Sequence, residues 1–359
     1  MRAFLAPLIP QIKPPLAVSV SSLAIAFLCL AHAKPQPQLS LFQQAVEARS
    51  NKDYAKAEQI WRKILQANSV GKERSTSYLV TELWLAGMLC EQGRYADAEP
   101  LYEEALAISR TVYGKTNRET LKTMQCLSTA YLNQAHYKKA EGLCTEAVKL
   151  AETTFGEEDQ LTETSLQNLA GLYLHLGRLL EAKELDKRIV NISLKVNGEW
   201  SPKTADAISN LAVTYSTSGR YSDADPLFRQ SLRIRLATLG YENPDTASTI
   251  NDLANNNIWL GRFDEAESLL KQALKIRKKL LTIYHPAIGR SLNNLAALYY
   301  AQKRYSEAEP LYVEAIAIGK KTLGMEHPST QLWIKNLDNL RWKTKQMSYS
   351  PNSQGEIKH

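Results

Sequence analysis

Cysteine is scarce in this chain: four in 359 residues, at positions 29, 90, 126 and 144, and no two are spaced Cys-x-x-Cys. An odd number remains beyond the N-terminal segment, so neither a complete disulfide framework nor a paired-cysteine motif can be read. Glycine (16) and proline (14) are modest, which excludes a low-complexity chain. No GxSxG, HExxH, Walker sequence or glycine-rich phosphate loop occurs. Catalysis therefore finds no footing, and the expectation is a non-enzyme with no catalytic residue, no metal ligand and no cofactor. After residue 33 no stretch is apolar enough to span a bilayer.

The composition that is present is ordinary for a globular protein, 44% apolar and 23% charged. Only Arg2 and Lys13 are charged before residue 34, and an apolar run fills Leu16 to Ala33, ending Ala31-His32-Ala33. A basic start, an apolar stretch and a small-x-small ending read as a secretory signal peptide cleaved after Ala33, giving a periplasmic or extracellular protein. The alternative is a membrane anchor formed by residues 16–33. Three cysteines then remain, expected as buried thiols on helices. Net charge is +7 for the whole chain and spread along it, which gives no reason to expect a nucleic-acid partner. A tail from Ser348 to His359 reads as disordered.

What fills the rest is a repeat. "GRYADAEPLYEEALAIS" starts at Gly93 and "KRYSEAEPLYVEAIAIG" at Lys303. The same anchor begins at Ala135, Gly177, Gly219 and Gly261, each step being 42 residues. Ala98, Ala140, Ala182, Ala224, Ala266 and Ala308 never vary, nor do Leu101, Leu143, Leu185, Leu227, Leu269 and Leu311. A further copy, "NKDYAKAEQIWRKIL", lies upstream, which makes seven.

Each unit reads as two helices. The second follows the Gly-Arg-Tyr turn, with apolar residues three and four apart and the invariant Ala where two helices cross closely. The aromatic column Tyr95, Tyr137, Tyr221, Phe263 and Tyr305 reads as packing at the turn. The first helix opens with Asn117, Asp159, Ser201, Asn243, His285 or His327, four of them followed by Pro, as N-cap and first helical position prefer. His285 and His327 are therefore expected as caps. Gly114, Gly156, Gly198, Gly240 and Gly324 fit helix C-terminal glycines. The clusters Arg233/Arg235, Arg277-Lys278-Lys279 and Lys320-Lys321 fit cations at helix C-termini, with no aromatic residues interleaved among them.

The pattern GRY-x-EAE-x-LY-x-x-AL-x-I, a Gly turn, HP-x-T and SLNNLA-x-LY resembles the tetratricopeptide repeat, in the 42-residue variety of the kinesin light chain type. The resemblance implies an all-α fold: an α-solenoid wound as a right-handed superhelix of about seven helix pairs, closed by a capping helix near 329–345. Asp338 and Arg341 there replace a buried Ala and Tyr, with Trp333 and Leu337 packing inward. The units are placed at about 39–68, 76–110, 118–152, 160–195, 202–236, 244–279 and 286–321.

The resemblance also implies that the first helices line a concave face that grips an extended peptide. One column on that face reads Cys126, Asn168, Asn210, Asp252, Asn294, Asn336, and the one before it Gln125, Gln167, Ser209, Asn251, Asn293, Lys335. A carboxamide can pair with both backbone groups of one peptide residue. The same amides could instead bond neighbouring repeats and set the pitch. The sixth unit departs from the motif, with Asn255, Asn257 and Trp259 in "DLANNNIWLGRF". With Arg290 these could form a partly polar pocket with one aromatic wall. The function expected is a scaffold binding a protein or peptide in its groove; the alternative is an adaptor docking through its convex face or ends.

Overall fold

The computed structural model describes residues 37–51, 53–68, 76–325 and 327–348. The expectations for residues 1–33, and for the tail beyond Ser348, lie outside the described residues. Within them are fifteen α-helices and no strand: α1 (Pro37–Ser50), α2 (Tyr54–Asn68), α3 (Thr76–Glu91), α4 (Tyr95–Val112), α5 (Arg118–Asn133), α6 (Tyr137–Phe155), α7 (Gln160–His175), α8 (Leu179–Asn197), α9 (Pro202–Thr217), α10 (Tyr221–Leu239), α11 (Pro244–Trp259), α12 (Phe263–Leu280), α13 (Pro286–Ala301), α14 (Tyr305–Thr322) and α15 (Pro328–Ser348). They form two units, residues 37–192 and 193–348, divided inside α8. Consecutive helices pack on one another from α1 to α7 and from α9 to α15, and the first helices α3, α5 and α7, and α9, α11, α13 and α15, also touch in succession. This is the all-α, α-solenoid arrangement that the 42-residue period requires: one helix pair cannot bury its own stripe, so neighbours cover it.

Two local devices make each pair. At the turn within a pair, the first anchor residue is left-handed in all six copies, including Ala135 (φ 60°) and Lys303 (φ 63°) where the others have glycine. The next residue's N–H then reaches the carbonyl five residues back, as in Arg178 N to Tyr173 O (2.8 Å) and Arg304 N to Tyr299 O (2.8 Å). This closes the first helix in a Schellman turn. At the connector between pairs, the expected caps are in place. Asn117, Asp159, Ser201 and Asn243 accept from backbone N–H groups two residues on. His285 Nδ1 accepts from Ala287 N and His327 Nδ1 from Ser329 N, both at 3.1 Å. The threonine of the HP-x-T pattern fastens the connector. Thr120, Thr162, Thr204 and Thr246 each donate to the carbonyl of the connector glycine, at 2.7–2.9 Å.

The invariant alanines are essentially inaccessible. The invariant leucines are only half-buried; the deeper position is the next residue, held by Tyr102, Cys144, Asp186, Phe228, Leu270 and Tyr312. The N-terminal end of the first unit is closed by rings: Phe42 lies 4.7 Å from Trp61 and 5.7 Å from Trp84, centroid to centroid. At the other end of the chain α15 seals the second unit. Trp333 and Leu337 are buried while Asp338 and Arg341 face solvent, as expected of a cap. Trp333 fits only because Gly289 and Gly319 face it: a Cβ on Gly289 would stand 2.7 Å from the indole, and one on Gly319 3.0 Å.

Candidate functional site

In the second unit the amide columns bond to each other. Asn336 Nδ2 donates to Asn293 Oδ1 (3.0 Å), Asn293 Nδ2 to Asn294 Oδ1 (3.4 Å), and Asn294 Nδ2 to Asn251 Oδ1 (3.2 Å). Asn251 Nδ2 ends the run on Asp252 Oδ1 (3.5 Å). The run ties α15 to α13 to α11, through four amides that are all at least 95% buried. In the first unit Gln125 Nε2 donates to Ser165 Oγ (3.0 Å), linking α5 to α7, and Gln167 Nε2 reaches Glu163 within α7 (3.4 Å). The bonds between helices fix the spacing of successive first helices. The remaining candidates differ. Asn210 is exposed and Asp252 half-buried. Asn168 and Asn255 are buried, each with an Oδ1 that has no hydrogen-bond partner. Asn255 lies one turn beyond Asp252 on the same face of α11.

The sixth unit's substitutions do not converge into one pocket. Asn257 is fully buried, and its Oδ1 accepts from Arg262 Nη1 (3.4 Å) at the turn. Trp259 stacks on Tyr221, with centroids 5.1 Å apart and planes 3° from parallel. His175 makes the same column contact with Tyr137 at 5.8 Å, so Trp259 stands in a packing position at the helix end.

Two cations correct the reading of the basic clusters. Arg235 and Arg277 are 2% and 3% exposed, so they do not sit on the surface of helix ends. Each spans to the next first helix. Arg235 donates to Asp245 O (2.7 Å) and to Thr249 Oγ1, and pairs with Asp206. Arg277 donates to Ala287 O (3.1 Å), Ser291 Oγ (2.6 Å) and Ser248 Oγ (3.2 Å). All three acceptors of Arg277 are neutral, and burial pushes its guanidinium down to about 10, helped by Arg290 and opposed by Asp252. One repeat further, Gly319 takes the arginine's place and Trp333 that of Ser291, so a single large side chain fills the same gap from the opposite helix. Arg290, on the first helix α13, is shifted down by burial and has Asp252 facing it; it in turn depresses His327 after burial.

A second network was not read from the sequence. The Arg of Gly-Arg-Tyr lies over the tyrosine that ends the preceding first helix, 4.0 Å for Arg178 on Tyr173 and for Arg304 on Tyr299. It also pairs with a carboxylate of the preceding second helix: Arg94 with Glu58 (2.6 Å), Arg178 with Glu141 (2.5 Å), Arg262 with Asp225 (3.0 Å), Arg304 with Glu267 (2.6 Å). The acidic residues near second-helix starts therefore join repeats as well as suiting the helix dipole. Glu267 also accepts from Lys271 and Tyr299, and the hydrogen bond from Arg304 leads in holding its carboxyl at about 2. Where Asn257 replaces the tyrosine, Arg262 keeps its place and bonds the amide.

Cys90, Cys126 and Cys144 are free thiols; Cys144 is buried and the other two are half-buried. Burial raises them to about 11, 12 and 11 respectively. Among the described residues, no group of three or more His, Cys, Asp or Glu could hold a metal ion, and no helix is long and apolar enough to cross a membrane.

The fold and its interlocked first helices define a repeat-built α-solenoid. A family profile described as tetratricopeptide repeat matches residues 77–153, 160–237 and 245–321, more than half of the chain. The chain belongs to the tetratricopeptide repeat family, and its 42-residue units are kinesin light chain-like in type. Among solved structures, a Podosopora anserina kinesin light chain with nearly identical TPR-like repeats is 29% identical over 56% of this chain and 96% of that one, with a TM-score of 0.48. BtubC from P. vanneervenii is 24% identical over 67% and 94%, at 0.51. NprR, solved in complex with its cognate peptide NprX, is 14% identical over 89% and 88%, at 0.53. BtubC and NprR share the fold. Comparison with curated proteins returns no significant match.

Proposed function

We propose that this protein is a non-catalytic scaffold whose first-helix face binds an extended segment of a partner protein. Tetratricopeptide repeat proteins are generally scaffolds of this kind, and NprR, of the same fold, was solved with a peptide. The observation that carries the reading for this chain is the face of α11 and α13. There Asn255 keeps an unpartnered buried acceptor, and two cations, Arg277 and Arg290, are opposed by Asp252. Two cations coupled to a single carboxylate favour an acidic side chain on the ligand. The segment favoured here donates backbone N–H groups to the amides and carries an acidic side chain toward Arg290. Buried amides of the ladder hold the first helices at fixed spacing, while Asn210, Asp252 and Asn255 meet the ligand. Net hydrogen bonds of about 0.5–1.5 kcal/mol each give a grip that reads little sequence beyond the acid.

The test starts from peptides selected on the full chain from a random library. Asn210→Ala, Asn255→Ala and Arg290→Ala are expected to weaken a selected acidic peptide about tenfold each. Unchanged affinity in all three, with the chain still folded, rejects the first-helix face and leaves docking through the convex face or ends.

A further inference from the structure

The second unit carries an exposed apolar row at one end of its helices. Tyr241, Ile283 and Met325 stand 42 residues apart in three successive connectors and are 44%, 71% and 45% exposed. At the next position of the repeat, Trp200 in the preceding connector and Tyr284 beside Ile283 are 54% and 40% exposed. The repeats supply their own control: in the first unit these two positions hold Lys115 and Glu157, and Thr116 and Glu158. The connector does not need apolar side chains to fold. In the connector between α12 and α13 the clasp residues are replaced, with Thr282 where Gly240 and Gly324 stand in its neighbours and Ile288 where Thr246 and Thr330 stand.

The rings are held against the following second helix. The Arg233 guanidinium lies 5.5 Å over Trp200, and Lys321 Nζ lies 3.5 Å from the centroid of Tyr284. Tyr241 donates its hydroxyl to Gln272 Oε1 (3.2 Å). Aromatic side chains thus do interleave with the basic clusters, contrary to the sequence reading. The last two turns of α10, α12 and α14 contain no carboxylate; they expose Arg233, Lys275, Lys320 and Lys321, together with Lys278 and Lys279, which pair with Glu314 and Glu242. Helix dipoles alone do not account for this charge, because the N-termini of α11, α13 and α15 share the same end and offset the C-termini beside them.

We propose that this edge of the second unit docks on an anionic bilayer surface. Tryptophan and tyrosine settle at headgroup depth, with an apolar body and a polar tip. An exposed isoleucine at a loop tip enters the acyl boundary, and each Lys or Arg near the surface is drawn to anionic lipid. A single-stranded nucleic acid would use the rings and cations but leave Ile283 and Met325 in water, so the aliphatic tips favour the bilayer.

The test is flotation of the full chain with phosphatidylcholine vesicles, with and without phosphatidylglycerol. Every variant retains residues 16–33, so any contribution of that apolar stretch is common to all. The wild-type chain is expected to partition about tenfold more onto vesicles containing phosphatidylglycerol, with the difference falling as salt is added. Trp200→Ser with Ile283→Ser and Tyr284→Ser, or Lys320→Glu with Lys321→Glu, is expected to abolish that difference. These side chains are exposed, so the variants' circular dichroism and melting should match wild type. Equal partition onto both vesicle types, an undiminished difference in the variants, or binding to a single-stranded oligonucleotide but not to vesicles would overturn the proposal.

Discussion

Single residues in this protein are placed by what the backbone or a neighbour demands of them. Ala135 and Lys303 hold a left-handed conformation that four glycines hold in the equivalent turns. A side chain there costs more than the extra unfolded-state freedom of glycine. Ala135→Gly and Lys303→Gly should therefore stabilise the chain by about 0.5–1 kcal/mol each, read as higher urea midpoints. Gly319→Ala should do the reverse, by about 1–3 kcal/mol, because the new methyl meets Trp333 and Thr330. Trp333→Leu in the same chain should recover part of that loss. Much at this scale was legible. The caps, the turn glycines and even His285 and His327 follow from local rules repeated in register. Arg235 and Arg277 were not, because a cation near a helix C-terminus already has a local explanation. Their true partners, Thr249 and Ser291, stand fourteen residues on. The signal was there in the paired columns 235/249, 277/291 and 319/333, where one large side chain is always opposed by a small one.

At the scale of elements, the repeats are joined by two polar systems. One is the amide ladder between first helices. The other is the turn arginine, which at four of the six turns bridges to the preceding second helix. Sequence left the amide columns open between pitch and ligand, since a carboxamide can serve either. Bonds between adjacent columns, 43 residues apart, assign Asn251, Asn293, Asn294 and Asn336 to the joint. The arginine bridges have a pH signature. Glu267 has its carboxyl lowered to about 2 in the folded chain, so the stability it adds is complete above the ordinary glutamate range. That stability is lost as pH falls from about 4.5 toward 2. Thermal melts of wild type and Glu267→Gln should differ at neutral pH and converge in acid. A constant gap down to the acid limit would deny the bridge this role.

For the molecule as a whole, repetition builds the fold and departures from it mark where this chain differs from its own repeats. The fold was fully legible because every anchor shares one period. The candidate site was legible only in part: a column of amides names the first-helix face, but only side-chain partners separate Asn255, whose acceptor is unused, from Asn294, whose oxygen and nitrogen are both bonded within the ladder. The central claim is that this face, and not the second helices, receives the partner. Hydrogen–deuterium exchange of the full chain, with and without a selected acidic peptide, tests it most directly. The account predicts slowed exchange in α9, α11 and α13 with α10, α12 and α14 unchanged; protection confined to the second helices would contradict it.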